Sequence, residues 1–431
     1  MKQTRSFPAA RVTEKAEAAI KRGHPWVYDA EVLSLQAAPS NQEEQTESNA
    51  NTESSTASED AVENGALVDV LSGKGRYLGT GFLSKSSKIR IRILSNNPNE
   101  AFSPAFWQRR VKYALDMRRT VMQDDYSCCR LIFGEADGIP GLTVDRYEDI
   151  LSTEVLSFGT ENVKDIIYRA LVDELKKDGV SVRGIFERNE SKIRELEDLP
   201  LEKGWYRSNF VGVPSSPQVE ICENGIRYTV DVENGQKTGF FLDQKYNRLA
   251  VSKLARGMKV LDCFTHTGSF AMNAAKGGAE HVTAVDISQL AVDTAAENAR
   301  INGLSDRMDF LCADVFDLLP KLEKEHAGYN FIILDPPAFT KSRKTTENAK
   351  RGYKEINYRA MKMLPRGGYL ATCSCSHFMP NELFRKMLIE AAHDAGVSLR
   401  LIEERRAAPD HPVAMTIPET DYLKFYLLQI V

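Results

Sequence analysis

Between Lys259 and Ser376 the chain alternates short apolar runs with longer amphipathic stretches. KVLDCF, HVTAVD, MDFLCAD, YNFIILD and GGYLATCSCS read as buried strands, and SQLAVDTAAENARING, between two of them, carries its apolar positions at helical spacing. Strand–helix alternation of this kind predicts a doubly wound, Rossmann-like α/β sheet over residues 226–431. The earlier chain is patterned differently. GALVDVLSGKGRYLGTGFLSKSSKIRIRIL shows β-branched alternation with Gly punctuation, as expected of short strands in a small β domain spanning residues 1–97. From Pro104, FWQRRVKYALDMRRTVM predicts a helix. It leads into strand-like runs on either side of the Gly134–Gly141 turn, then VKDIIYRALVDELKKDG (helix) and VRGIFERN (strand). We read residues 98–225 as a mixed α+β middle domain without a catalytic constellation.

Length agrees with this division, since 431 residues exceed the usual size of one hydrophobic core. With 42% apolar and 27% charged residues the composition is that of an ordinary globular protein. No apolar run approaches the roughly 20 residues that cross a bilayer, and the first residues lack the apolar stretch of a secretory signal. A cytoplasmic protein with no membrane partner is expected. Its 7 cysteines, odd in number and scattered, imply no disulfide framework.

The net charge of −4 conceals an uneven distribution. Residues 37–64 contain Asp and Glu but neither Lys nor Arg, and are too polar to offset the entropy of ordering, so we read them as a disordered loop interrupting the N-terminal domain. After it come Lys74, Arg76, Lys85, Lys88, Arg90 and Arg92. Arg90 and Arg92, two apart on a strand, would share a face, which is either a phosphate-binding surface or simply a solvated one. Together with Arg22-Gly23-His24-Pro25-Trp26, Gly79 and Gly81, the SKIRIRIL strand resembles a PUA domain, a small β module that binds structured RNA. The resemblance implies that Arg22, His24, Arg90 and Arg92 face RNA.

Candidate chemistry sits at the ends of the predicted strands, where doubly wound sheets bind ligands. Asp262 closes the first, and Gly268 with Ser269 opens the helix that follows. The stretch does not match G-x-G-x-x-G, which lowers the case for a nicotinamide or flavin dinucleotide. Asp286 ends the second strand, where an acid can accept hydrogen bonds from both ribose hydroxyls. Asp314 ends the third, in place to accept from an adenine amino group. Each acid alone could equally be a helix cap or a solvated strand end. The fourth strand ends in Asp335-Pro336-Pro337, a rigid turn poor in donors.

In this order and spacing the motifs resemble class I S-adenosylmethionine-dependent methyltransferases. ENGQKTGFFLDQKYNR, DPPAF, RGYKEIN, SCS, DHPV and PETDYLK narrow the resemblance to the PUA-containing bacterial methyltransferases that form 5-methylcytosine in large-subunit ribosomal RNA. That likeness implies S-adenosyl-L-methionine as cofactor, held by Phe240, Asp243, Asp262, Gly268, Asp286 and Asp314. It also implies ribosomal RNA as substrate, with Lys237 among its contacts. Lys237 and His411 are candidates for closing the site, and a homodimer is an assembly to test.

ATCSCSHF places Cys373 and Cys375 one residue apart, where on a strand they would point together into a core, onto a metal or at a substrate. No second Cys pair at metal-ligand spacing accompanies C-x-C, so no metal is expected. The resemblance makes Cys375 the nucleophile that adds to cytosine C6. Cys373 is then a packing residue. For the two to differ, Cys375 must sit at or beyond the end of the strand. Asp335 would hold the N3 or N4 edge of the base. Two other readings remain open: an enzyme of the same fold methylating a guanine or an exocyclic amine, with Cys375 structural, and a non-catalytic RNA-binding accessory protein.

Overall fold

Alternation in the first hundred residues builds one sheet. The computed structural model describes residues 7–38, 61–340 and 345–431. Strand β1 (Ala9–Val12) runs into helix α1 (Glu14–Lys21), where the Thr13 hydroxyl accepts from the Ala16 N–H at 3.3 Å and caps the helix. Strands β2 (Trp26–Tyr28), β3 (Val32–Gln36), β4 (Leu67–Ser72), β5 (Tyr77–Leu83) and β6 (Ile89–Ser95) complete a six-stranded sheet of order β2-β6-β5-β4-β1-β3. Its core gathers Val12, Ile20, Val27, Val68, Val70 and Ile91. Gly81 is required because a Cβ there would stand 2.3 Å from the Arg92 carbonyl oxygen on β6.

Most of the acidic segment, residues 39–60, lies outside the described residues. Its last residues correct the boundary expected from composition. Val62 is buried in the β core, and the Asn64 side-chain oxygen accepts from the Lys85 N–H at 3.0 Å. An apolar anchor and a side-chain cap hold this end of the segment to the domain.

The region from Pro104 folds as its periodicity predicts. Helix α2 (Pro104–Met122) is followed by strands β7 (Cys128–Phe133), β8 (Leu142–Tyr147) and β9 (Ile150–Val155), short helix α3 (Phe158–Glu161), helix α4 (Lys164–Lys177), and strands β10 (Gly184–Asn189) and β11 (Glu202–Trp205). The strands form a sheet of order β11-β10-β9-β8-β7. By contacts the chain divides into two compact units, and both of these sheets belong to the first, with residues 231–240 and 413–418.

Strands β12 (Gln218–Glu223) and β13 (Ile226–Asp231) form a separate hairpin. Then come α5 (Lys245–Leu254), β14 (Lys259–Cys263), α6 (Ser269–Lys276), β15 (His281–Asp286), α7 (Gln289–Ile301), β16 (Met308–Cys312), α8 (Val315–Lys324), β17 (Phe331–Leu334), α9 (Thr346–Met363), β18 (Tyr369–Ser374), α10 (Asn381–Ala395), β19 (Leu399–Arg405) and β20 (Lys424–Ile430). The sheet order is β16-β15-β14-β17-β18-β20-β19, parallel except that β20 is antiparallel to both of its neighbours. Leu261, Cys263, Ile332, Leu334 and Leu370 point into a core shared with Tyr353, Ile356, Phe384 and Leu388 of α9 and α10. Burying each such side chain contributes roughly 1.5–3 kcal/mol. The alternate residues of the same strands point to the other face, and there the site is built.

Candidate active site

In a parallel sheet paired residues point to one side, and a step of two along a strand keeps that side. Asp262 pairs with Ala284 of β15 and Ile333 of β17. Asp286 and Asp335, each two residues further on, therefore face the way Asp262 faces. Leu334 pairs with Thr372, which brings Asp335 level with Cys373. The outcome is a row, Asp286, Asp262, Asp335, Cys373, across the carboxyl ends of β15, β14, β17 and β18. It spans the reversal of strand order between β14 and β17, where open α/β sheets bind ligands.

The centre of the row is rich in carboxyl oxygens with few donors. Asp262 is fully buried, and its Oδ2 accepts from the Thr265 hydroxyl at 2.6 Å and the Ala271 N–H at 2.9 Å. Its Oδ1 has no partner among the described residues. Burial, with the charges of Asp335 and Asp286, pushes its pKa up to about 7. Asp335 is half-buried, and its Oδ1 accepts from the Gln244 amide at 3.0 Å. Desolvation and the charge of Asp243 push it, too, up to about 7. Asp243 accepts the Tyr422 hydroxyl at 2.6 Å on Oδ2, while its buried Oδ1 has no partner among the described residues. Two unpartnered carboxylate oxygens beside two acids with raised pKa values suit a cationic ligand, and S-adenosylmethionine carries both an ammonium and a sulfonium. Asp262 and Asp243 are thus the residues that fit its charge.

The loop from β14 to α6 shapes the same place. Phe264 and His266 have positive φ values of 65° and 50°, a costly conformation for non-Gly residues that clusters at functional sites. The His266 N–H donates to Asp286 Oδ2 at 2.9 Å, and its ring lies 5.3 Å from that of Phe241. Burial lowers the imidazole pKa to about 4, so it is neutral near pH 7. Gly268 has φ 80°, and a Cβ there would meet Ala295 of α7 at 2.9 Å. Its glycine is demanded by helix packing as well as by the turn.

Other sequence candidates are placed as follows. Asp286 accepts backbone N–H groups from His266 and Ser288 on its two oxygens, each keeping a lone pair for a ligand. Asp314 is exposed and caps α8 through the Phe316 N–H at 2.8 Å. Phe240 is buried in the first unit, its backbone N–H and carbonyl both bonded to the Tyr147 hydroxyl. Gln244 and Tyr422, which hold Asp335 and Asp243, were not singled out in sequence. Both lie inside the motifs ENGQKTGFFLDQKYNR and PETDYLK, which are the signal that could have found them.

The two thiols differ. Strand β18 ends at Ser374, so Cys375 stands just past it, partly buried, with its Sγ 4.0 Å from the Pro336 carbonyl oxygen of the DPP turn. Cys373 is fully buried, and desolvation together with the Asp335 charge raises its thiol well above the ordinary value. Asp335 and Gln244 are the polar groups that act on it.

In the first unit, Arg22 and His24 line a cavity of about 480 Å³ with Lys15, Trp26, Tyr28 and Met415. Arg90 and Arg92 correct the expectation of an RNA-facing pair. Arg92 has a side chain only 9% exposed, bonded to Glu197 at 2.7 Å and Glu135 at 3.4 Å. Its charge is spent inside the unit. Arg90 donates to the carbonyls of Ser84 and Lys85 and so ties the turn between β5 and β6. Lys237 is exposed in a turn with φ 55°. His411 is buried against Asp410 at 2.9 Å, away from solvent rather than poised as a lid.

Residues 208–425 match the family model described as S-adenosylmethionine-dependent methyltransferase, and residues 10–96 match that of a PUA-like domain. The chain is 37% identical over 410 residues to the ribosomal RNA large subunit methyltransferase I of Shewanella amazonensis, covering 95% of this chain and 96% of that protein. It is 35% identical to the protein of that description from Klebsiella pneumoniae, covering 98% of each. The chain belongs to the ribosomal RNA large subunit methyltransferase I family. S-adenosylmethionine is accordingly its cofactor.

The fold is shared with a protein from Streptococcus mutans described as a SAM-dependent methyltransferase, at TM-score 0.78 and 22% identity over 98% of this chain and 99% of that one. A methyltransferase structure complexed with SAH aligns equally well, at TM-score 0.78 and 21% identity, over 98% and 99% of the two chains. The comparisons lend no support to a homodimer. Among the described residues no helix is long and apolar enough to cross a membrane.

Proposed function

We propose that this methyltransferase acts on large-subunit ribosomal RNA and forms 5-methylcytosine, with Cys375 adding to C6 of the target base. The observation that carries the reading is the seat of the Cys375 thiol, just past β18 and against the Pro336 carbonyl of the DPP turn. The acceptor class follows from the relatives' description as ribosomal RNA methyltransferases.

C5 of cytosine is a weak nucleophile until a thiolate bonds to C6 and makes C5 enamine-like. The cofactor supplies an electrophilic methyl group, which C5 takes as S-adenosylhomocysteine leaves. Loss of the C5 proton to a base then expels the Cys375 thiolate and restores the aromatic ring. Asp335, held near pKa 7 by burial and by Asp243, can hold or give a proton at the N3 edge as charge develops there. Gln244 fixes its orientation through the 3.0 Å hydrogen bond.

Mass-spectrometric nucleoside mapping of ribosomal RNA from a deletion strain tests the reading. One lost 5-methylcytosine, restored by the wild-type chain and not by Cys375→Ala, is expected. Loss of a methylated guanine or amine instead, or restoration by Cys375→Ala, overturns it.

A further inference from the structure

Lys424 opens β20, directly opposite Ser374 at the end of β18. Its side chain is buried, with the residue only 4% exposed. Its ammonium donates to the Ser376 carbonyl at 2.6 Å and to the Tyr422 carbonyl at 2.7 Å. An ammonium has three protons, and the third has no acceptor among the described residues. Ser376 is the residue after Cys375, so this cation is pinned at the shoulder of the thiol. A buried ammonium is costly unless it meets an anion, and two neutral carbonyls supply none.

We propose that Lys424 is a positioning residue for the covalent step, holding Cys375 as a thiolate by its charge and fixing the chain that carries it through Ser376. The proposal rests on Cys375 being the nucleophile. The other titratable groups around the thiol, among the described residues, do not do this work. Cys373 on β18 and Tyr353 on α9 are both raised by burial and stay neutral near pH 7. Asp335, beyond β17, is an acid, and a carboxylate disfavours a neighbouring thiolate. Asp421, before β20, acts on Lys424 and favours its charge. Among the described residues Lys424 is the cation of this group, and Cys375 is the charge that most favours its protonated form. Burial lowers Lys424 to about 8, so it is mostly charged at pH 7 and loses that charge above pH 8.

The test is the pH profile of iodoacetamide alkylation at Cys375, followed on its own peptide by mass spectrometry because Cys222 and Cys312 are exposed. A cation beside a thiol lowers its pKa by a unit or more. Lys424→Met should therefore move the alkylation midpoint up by about one pH unit and slow labelling at pH 7 about tenfold. Lys424→Arg should restore the lower midpoint. Binding of S-adenosylhomocysteine by each variant shows that the methyltransferase unit is folded. If Lys424→Met binds S-adenosylhomocysteine but keeps the wild-type midpoint, the proposal fails; if it does not fold, the same midpoint in Lys424→Arg and in Lys424→Gln decides in the same way. A shifted midpoint in a chain whose Cys375→Ala variant still methylates would keep the ion pair and sink the nucleophile. An unshifted midpoint with Cys375→Ala inactive would do the reverse.

Discussion

Asp262 and Asp335 face the same side of the sheet from adjacent parallel strands, and the charge of Asp335 adds to burial in pushing the Asp262 carboxyl up to about 7. Both groups thus carry raised values, and their effect on the free protein has a definite sign. A carboxyl whose pKa rises on folding contributes stability that is complete below its ordinary value of 3.8 and is lost as pH rises towards about 7. A cation in the site reverses the preference.

Affinity for S-adenosylmethionine should therefore fall as pH drops below about 7, by up to about tenfold per pH unit for each proton that binding must displace. Calorimetry across that range measures it, and a flat profile would show that neither acid meets the cofactor's charge. Asp262→Asn should bind more weakly with a shallower profile, while melting of the free variant should lose less stability on going from acid to neutral pH than the wild type does.

Asp286 ends β15 with both oxygens anchored to backbone N–H groups, and we expect the remaining lone pairs to take the ribose hydroxyls. Hydrogen bonds to a charged group contribute roughly 1.5–3 kcal/mol each. Asp286→Ala should weaken S-adenosylmethionine at least tenfold by titration. Wild-type affinity in that variant would remove Asp286 from the site.

Arg92 and Arg22 should part company. Breaking a buried ion pair by removing one partner costs about 3–5 kcal/mol, so Arg92→Ala should lower the melting temperature and leave the salt slope of RNA binding alone. Arg22 is exposed at the cavity with His24 and Trp26, and Arg22→Ala should reduce that slope by about one with little change in melting. A reduced slope for Arg92→Ala without destabilisation would return it to the RNA-facing surface.

The sheet was legible because its central strands are mostly buried and three of them, β14, β15 and β17, carry an acid at or next to their ends, which leaves apolar runs with a polar stop. Strand β20 was not singled out although LKFYLLQI is just such a run, because the alternation with helices fails there and the strand returns antiparallel. Strand β19, LRLIEER, is a charged edge strand with no such signal. The row of acids could be read from strand ends, whereas the partners that set their chemistry could not. Gln244, Tyr422 and Lys424 reach the site across many tens of residues of sequence, and only the fold joins them to Asp335, Asp243 and Cys375. Arg90 and Arg92 misled because a basic strand has the same pattern whether its charges meet phosphate or buried glutamates.

The thiols give the sharpest separation. Cys375 lies past the strand end beside the DPP turn, whereas Cys373 is fully buried with its pKa raised by desolvation. A buried, protonated thiol is a poor nucleophile, so Cys373→Ala should keep substantial methylation and lose mainly packing, on the order of 1 kcal/mol. Cys375→Ala should abolish methylation with S-adenosylmethionine affinity nearly unchanged, because the thiol acts on the base. RNA carrying 5-fluorocytosine at the target should trap the wild-type enzyme, since fluorine cannot leave as a proton does and the bond from sulfur to C6 then persists. Peptide mapping of that adduct should find Cys375 and should find none in Cys375→Ala. An adduct at Cys373 would keep the covalent mechanism and reassign its sulfur, and full activity of Cys375→Ala would favour methylation of an exocyclic amine held against the DPP turn.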